Sequence, residues 1–174
     1  MRVYRTFYEA INEMGRDLAE MGLDLGDNAC QSELMNYGYM VTEPELVKGE
    51  SNEIDFFNVE GVEIKPQILR VIRDLREDPA SRRHYISTWD PHKGAVSGQG
   101  LPNTVGYHIV ERDGRIHFTH HMRSCEFGAS LKSAIEHAIG IFEHICSETQ
   151  KARGRYTQFI NSLYVYKKDL EGVF

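Results

Sequence analysis

The fold is decided by residues 78–91, which read DPASRRHYISTWDP. Asp78-Pro79 ends a helical pattern, because proline lacks the backbone N–H that a helix interior needs. Residues 83–89 are rich in aromatic and β-branched side chains and predict a strand. The Ser-Arg-Arg at 81–83 offers a hydroxyl and two permanently charged guanidinium groups, which are donors suited to a phosphate. The alternative is a pair of solvated surface arginines in ordinary ion pairs.

Three segments show the helical spacing of apolar residues, at intervals of three and four. The first covers residues 4–22, with the stripe Tyr4, Phe7, Ile11, Met14, Leu18 and Met21. The second begins at Pro66, a residue suited to a first helical turn, with the stripe Ile68, Leu69, Ile72 and Leu75. The third covers residues 129–149, with the stripe Leu131, Ile135, Ala138, Phe142 and Ile145.

The strand signals are clearest in a hairpin, in which 105–111 and 115–122 flank the turn Arg112-Asp113-Gly114. Asp-Gly is typical of such turns because it tolerates positive φ. Further strands are predicted at 37–41, at 156–166 and, within the acidic segment 45–64, at 54–59; residues 90–99 read as a loop. This order predicts a single α+β domain over 1–174, with a substantial sheet packed on helices.

Composition narrows the class of protein. The 174 residues are 41% hydrophobic and 26% charged, which is ordinary for a globular chain. The net charge of −6 argues against broad binding of nucleic acid, which needs a basic surface. No apolar run approaches the roughly 20 residues that span a bilayer, and the first residues lack the apolar core of a secretory signal. Three widely spaced cysteines fit a reducing compartment. We therefore expect a cytoplasmic protein that does not enter a membrane.

The histidines and cysteines predict no metal site. His117, His120 and His121 are close in sequence, but neighbouring side chains on a strand face opposite ways, so the three cannot converge. Cys125 is a candidate nucleophile, because the charge of Arg123 would lower the pKa of its thiol.

Several blocks resemble the thymidylate synthase family. Residues 81–91 are similar to the family block that reads Ser-Arg-Arg, four or five residues, then Trp-Asn-Pro. Leu101-Pro102 resembles the start of its Leu-Pro-Pro-Cys-His, and residues 123–126, Arg-Ser-Cys-Glu, resemble its Arg-Ser-Cys-Asp. Leu163-Tyr164 is similar to the end of its closing strand. The resemblance implies a thymidylate synthase-like fold, with a mixed sheet packed on helices and one face of the sheet used for dimerisation.

The resemblance also implies a ligand and a site. In that family the double arginine reaches across a two-fold axis to the 5′-phosphate of a pyrimidine nucleotide in the partner's site. A homodimer would then bind a pyrimidine nucleoside monophosphate through Arg82, Arg83, Arg123 and Ser124. Trp89 and Tyr164 are further substrate-binding candidates by the same resemblance.

The departures from the family pattern concern its chemistry. Where the family has its cysteine nucleophile, this chain has Asn103 or Thr104, depending on the placement of a one-residue gap. Asparagine cannot attack C6 of the pyrimidine, and threonine needs a dedicated base. The asparagine that reads the uracil edge falls near Ala134 or Ser133, and no segment matches the one that supplies the family's glutamate.

Three functions are open on the sequence. The first is a dimer that binds the nucleotide without thymidylate synthase activity, as a sensor, regulatory subunit or scaffold. The second is an active pyrimidine C5-modifying enzyme similar to the hydroxymethylases, with Cys125 as nucleophile and methylene-tetrahydrofolate as cofactor. The third is a structural or protein-binding module that keeps only the dimeric fold.

Overall fold

A computed structural model describes residues 1–24, 30–45, 55–90 and 101–166, without the side chains of residues 30 and 31. Along the chain, these residues form β1 (Arg2–Tyr4), α1 (Phe7–Met21), β2 (Cys30–Val41), β3 (Asn58–Val59), β4 (Val62–Glu63), α2 (Lys65–Glu77), β5 (His84–Ser87), β6 (Thr104–Arg112), β7 (Arg115–Glu126), α3 (Ala129–Thr149) and β8 (Ala152–Tyr166). Most of the predicted loop at 90–99 and residues 46–54 of the acidic segment lie outside the described residues.

One mixed sheet organises the fold, with its six strands in the order β1-β2-β8-β7-β6-β5. β1 is parallel to β2 and β7 is parallel to β8, and the other neighbours are antiparallel. The three described helices share one hydrophobic core with one face of the sheet. The predicted α+β class and the mixed sheet packed on helices are confirmed. No helix in the described part of the chain is long and apolar enough to cross a membrane.

The helices follow the predicted stripes with three corrections. α3 has the predicted bounds, and its whole stripe is buried. α1 begins only at Phe7, because the Thr6 side chain accepts the Glu9 N–H at 3.3 Å in a capping box. Tyr4 therefore lies in β1, and Met21 is 54% exposed. In α2 the buried stripe includes Val71, which was not predicted, and excludes Leu69, which is 53% exposed.

The strands are mostly longer than predicted. The hairpin is confirmed, with Arg112 opposite Arg115 and positive φ at both Asp113 and Gly114. β7 continues to Glu126, so Arg123 lies within the strand and does not end it. β2 and β8 begin seven and four residues before the predicted starts at Tyr37 and Tyr156 (37 − 30 and 156 − 152). Backbone pairing with neighbouring strands extends them, and this is non-local information that side-chain periodicity does not contain.

Three neighbouring strands change their side-chain alternation at the same level. In β7 the buried positions are even-numbered from Ile116 to Met122 and then shift to Cys125. In β8 they shift in the same way between Ile160 and Leu163. Asn36 of β2 lies at this level with φ of 54°, between the paired positions on either side of it. Arg123 is exposed, as a strict period of two predicts, but the shift turns Cys125 inward, which that period would not predict.

The sheet face away from the helices carries a row of aromatic rings. His121 stacks on Phe159 with 5.7 Å between ring centroids, and Tyr85 lies 6.5 Å from His121 and 6.4 Å from His108. Phe159 is 38% exposed and Tyr85 is 36% exposed. We call this surface the outer face and define it by Tyr85, His108, His121 and Phe159. It is partly apolar, and each of its four residues comes from a different one of the neighbouring strands β5 to β8.

Candidate functional site

A cavity of about 430 Å³ opens between β6, β7, the start of α3 and the β3–β4 turn. Its size falls within the range of small-molecule sites. Its polar wall is formed by Glu60, Asn103, Thr104, Ser130, Ser133 and His137. Its apolar wall includes Val59, Tyr107, Met122 and Cys125. Three sequence candidates, Asn103, Thr104 and Cys125, therefore face the same cavity.

Asn103 is held by the Arg-Ser pair of β7. The Arg123 guanidinium donates to Asn103 Oδ1 at 3.0 Å, and the Ser124 hydroxyl donates to the same oxygen at 2.8 Å. The Arg123 backbone N–H also donates to the Asn103 carbonyl at 2.7 Å. Two side-chain donors thus converge on one oxygen at the cavity edge. This is the arrangement that an anionic oxygen would use.

Glu60 fixes the backbone on the other side of Asn103. Its carboxylate accepts the N–H of Asn103 at 2.7 Å and the N–H of Thr104 at 3.0 Å. Glu60 sits in the turn between β3 and β4, where it and Gly61 have positive φ of 50° and 84°. A carboxylate from the acidic segment 45–64 therefore lines the cavity.

The Thr104 hydroxyl is part of a buried hydrogen-bond network beneath the cavity. Its hydroxyl is 3.1 Å from His120 Nε2, and the other ring nitrogen of His120 is 2.9 Å from the Tyr156 hydroxyl. Gln158 continues the network to Tyr39. His120 is thus the histidine partner that a threonine nucleophile would need, but burial lowers its pKa to about 3. At neutral pH it is a weak base, and Thr104 is itself only 2% exposed.

The buried His120 predicts that acid weakens the fold. The unfolded chain takes up a proton near pH 6.5, whereas the folded state keeps His120 neutral down to about pH 3. Stability is therefore lost as the pH falls below 6.5, by about 2 kcal/mol at pH 5 from this group. Urea unfolding at pH 7 and pH 5 measures the loss. Between pH 7 and pH 5, the unfolding free energy of His120→Gln should fall by about 2 kcal/mol less than that of the wild type. Equal losses in both proteins would contradict the assignment of this effect to His120.

Cys125 is a poor candidate nucleophile in this structure. Its thiol lies in the cavity wall but is only 2% exposed. Burial raises its pKa to about 12, with the nearby carboxylates of Glu60 and Glu126 adding to the effect. Burial therefore outweighs the lowering that we expected from Arg123, because the thiolate form loses its hydration.

His137 contributes a second unexpected polar group. It lies on α3, seven residues after Ser130, on the side that faces the cavity. Its Nε2 atom is buried and has no hydrogen-bond partner among the described residues. Burial lowers the pKa of the ring, which favours the neutral form with one nitrogen free to accept.

The other sequence candidates lie elsewhere in the chain. Arg82 and Arg83 are exposed before β5, and the Arg82 carbonyl is 3.0 Å from His108 Nε2. Because His84 pairs with Ile109, this end of β6 is roughly 20 Å from Asn103 at the other end. Within the chain, the double arginine therefore does not come near Arg123. Trp89 and Tyr164 are half-buried, and neither lines the cavity in the described structure.

The three histidines of β7 lie in different surroundings and have different contacts. His120 points into the core and His121 lies on the outer face, as the strand alternation predicted. His117 accepts the Arg155 backbone N–H at 3.1 Å. Across the described ranges, no group of three or more potential metal ligands comes together.

Sequence reasoning missed Glu60 and His137. Glu60 precedes a glycine in a two-residue hairpin turn, a weak local signal for positive φ. His137 follows Ser130 and Ser133 at helical spacing, which is a polar stripe beside the apolar one on α3. Neither signal shows that the two residues meet at one cavity.

Comparison with known proteins agrees with the fold. The family model described as thymidylate synthase matches residues 36–174. A protein of Methanosarcina barkeri named "Putative thymidylate synthase" is 27% identical over 135 residues. One of the same name from Methanosarcina acetivorans is 28% identical over 135 residues. Each match covers 74% of this chain and 61% of the relative, so the chain spans about three fifths of the length of these curated relatives.

The structure is thus a mixed sheet with helices over one face and a cavity beside β7, the strand that carries Arg123 and Ser124. This chain belongs to the thymidylate synthase family, as most of its length matches the family model.

Proposed function

We propose that this protein binds a pyrimidine nucleoside 5′-monophosphate in the cavity beside Arg123 and does so as a homodimer without thymidylate synthase activity. The observation that carries the proposal is the convergence of the Arg123 and Ser124 donors on the Asn103 side chain. A phosphate oxygen that replaced Asn103 Oδ1 would receive the same two hydrogen bonds, one of them charge-assisted. Such a protein would act as a sensor, a regulatory subunit or a scaffold.

The side chains at the cavity support the proposal that the protein does not transfer a methyl group. Asn103 holds the Arg-Ser pair, Thr104 is bonded to a weakly basic His120, and Cys125 has a raised pKa. The described residues therefore offer no activated nucleophile for C6 of a pyrimidine. They do not fit a reaction with methylene-tetrahydrofolate, and a measured methyl transfer to deoxyuridine monophosphate (dUMP) would contradict the proposal.

The binding proposal is tested by thermal stabilisation with nucleoside monophosphates. A pyrimidine monophosphate at a hundred times its dissociation constant should add about 2.7 kcal/mol to the native state and raise the unfolding midpoint. Arg123→Ala should lose this response because it removes the charged donor. Arg115→Ala is the matched control, since Arg115 is an exposed arginine on the same strand, next to the hairpin turn. No shift in the wild type with any pyrimidine monophosphate would contradict the proposal.

The dimer is proposed to form through the outer face. Phe159 stacks on His121 there and is 38% exposed, and a second copy of this partly apolar surface would cover it. Sedimentation should give a dimer for the wild type. Phe159→Glu should shift it to a monomer, because the substitution buries a charge at the interface. Leu69→Glu, at an exposed leucine on α2, is the control and should remain dimeric.

A dimer also supports a role for the double arginine. Arg82 and Arg83 lie far from Arg123 in one protomer, so they would serve the phosphate of the partner's site, as the family resemblance implies. Trp89 and Tyr164 remain candidates on the same basis. The single domain over 1–174 and the cytoplasmic location remain predictions from the sequence.

A further inference from the structure

The Glu60 carboxylate occupies two backbone donors at the wall of the cavity. One carboxylate oxygen accepts the Asn103 N–H at 2.7 Å, and the other accepts the Thr104 N–H at 3.0 Å. Successive backbone N–H groups that converge on one point form a binding site for an anion. In this structure the anion is a side chain of the protein itself. We call these two hydrogen bonds the Glu60 clasp.

The Glu60 clasp acts on the donors of β7 through Asn103. It holds the Asn103 N–H, while the Asn103 carbonyl accepts the Arg123 N–H at 2.7 Å. The backbone of Asn103 is thus fixed on both sides, and its side-chain oxygen stays on the Arg123 and Ser124 donors. An anionic ligand that takes these donors has to displace that oxygen, and the clasp opposes the displacement.

The charge of Glu60 also opposes an anionic ligand. Glu60 is one of the residues that line the cavity, and a carboxylate repels a phosphate most strongly at short range, where salt screens least. The two backbone N–H groups beneath it would attract the same phosphate. Loss of the carboxylate would therefore remove a repulsion and expose two donors at once.

The turn that carries Glu60 allows the carboxylate to leave. Glu60 is exposed, and its φ of 50° lies in the left-handed region that glutamate rarely adopts. A Cβ added at Gly61 would meet no atom of the described residues within 4 Å, so the tip of the turn borders open space. β3 and β4 form a two-stranded sheet of their own, separate from the main sheet. The side chain can therefore swing away without a change in the main sheet.

We propose that the Glu60 clasp is an autoinhibitory contact: the carboxylate occupies donors of the cavity in the ligand-free protein, and an anionic ligand binds by displacing it. This inference rests on the proposed function, because it concerns access of the nucleotide to the same cavity. Displacement would also give a sensor a change to report, since ligand binding would shift the population from the clasped to the released turn.

Calorimetric titration with dUMP tests the proposal on the wild type, Glu60→Gln and Glu63→Gln. Glutamine has no charge and one oxygen in place of two, so it cannot accept both N–H groups. Glu60→Gln should bind dUMP at least about tenfold more tightly than the wild type, because less of the binding free energy is spent on opening the site. A defect in folding would weaken binding, so the direction of the change separates the clasp from a structural role.

Glu63→Gln is the matched control. Glu63 is exposed on β4, in the same hairpin, and it is not among the described residues that line the cavity. The substitution removes the same charge without touching the clasp. Its affinity for dUMP should stay within about twofold of the wild type, since exposed charges have small effects.

Amide hydrogen exchange tests the clasp in the ligand-free proteins. The N–H groups of Asn103 and Thr104 should be protected in the wild type, and at least one should exchange about tenfold faster in Glu60→Gln. Equal exchange in the two proteins would overturn the inference, and so would an affinity for dUMP that is unchanged or weaker in Glu60→Gln. Tighter binding with both amides still protected would show that the charge acts alone, which also overturns the clasp. If neither the wild type nor Glu60→Gln binds dUMP, the proposed function itself fails and the inference falls with it.

Discussion

Replacing Asn103 by aspartate is expected to weaken the binding of dUMP by at least a factor of about 100, or roughly 2.7 kcal/mol. In the structure Asn103 Oδ1 accepts from Arg123 at 3.0 Å and from Ser124 at 2.8 Å. A carboxylate at this position would form a charged pair with Arg123 and would repel a phosphate. Calorimetric titration of the wild type and Asn103→Asp measures the effect.

Asn103→Ala is the matched control for this prediction. It removes the internal acceptor without adding a charge, so Arg123 and Ser124 become available to the ligand. We expect dUMP binding that equals or exceeds that of the wild type. If Asn103→Asp binds dUMP as well as Asn103→Ala does, the phosphate does not lie against Arg123 and the site assignment is wrong.

Phe118→Ala is expected to lower the free energy of unfolding by about 3–5 kcal/mol, the usual cost of removing a large buried aromatic side chain. Phe118 is fully buried in the middle of the sheet. Its ring stacks on Phe142 of α3 at 5.2 Å and on Tyr156 of β8 at 6.1 Å, and it contacts Tyr107 at 5.2 Å. Its loss opens a cavity where the sheet meets α3. Denaturant unfolding measures the change.

Leu69→Ala provides the comparison for the stability prediction. Leu69 is on α2 and is 53% exposed, so its truncation should cost less than about 1 kcal/mol. Similar losses in the two variants, or a loss below about 1 kcal/mol for Phe118→Ala, would show that the centre of the core has been assigned wrongly.

The local elements could be predicted because their signals are local. The stripe of α3 and the Asp113-Gly114 turn depend on residues a few positions apart, and both are found where the sequence indicates. The order of the predicted elements indicated the α+β class, and the family resemblance at residues 81–91 implied the thymidylate synthase-like fold. The lengths of β2 and β8 depend on pairing between distant strands, for which the sequence carries only a weak signal.

The site was only partly predictable for a related reason. The sequence indicates Arg123 and Ser124, but the shift of alternation near Arg123 decides which of residues 123–125 face the cavity. Glu60 reaches Asn103 across 43 positions of the chain, and no local pattern indicates that contact. The pKa of Cys125 was expected to fall and instead rises, because burial depends on the whole fold and outweighs one nearby charge.

The most direct test of the central claim, a phosphate site built by two subunits, is a binding measurement on mixed dimers of Arg82→Ala and Arg123→Ala. Each variant alone should bind no dUMP, because every site lacks one arginine. After subunit exchange in an equal mixture, hybrid dimers should regain one intact site each, or about a quarter of the wild-type sites. Wild-type binding by Arg82→Ala alone, or no recovery in a mixture whose subunits have exchanged, would contradict the account.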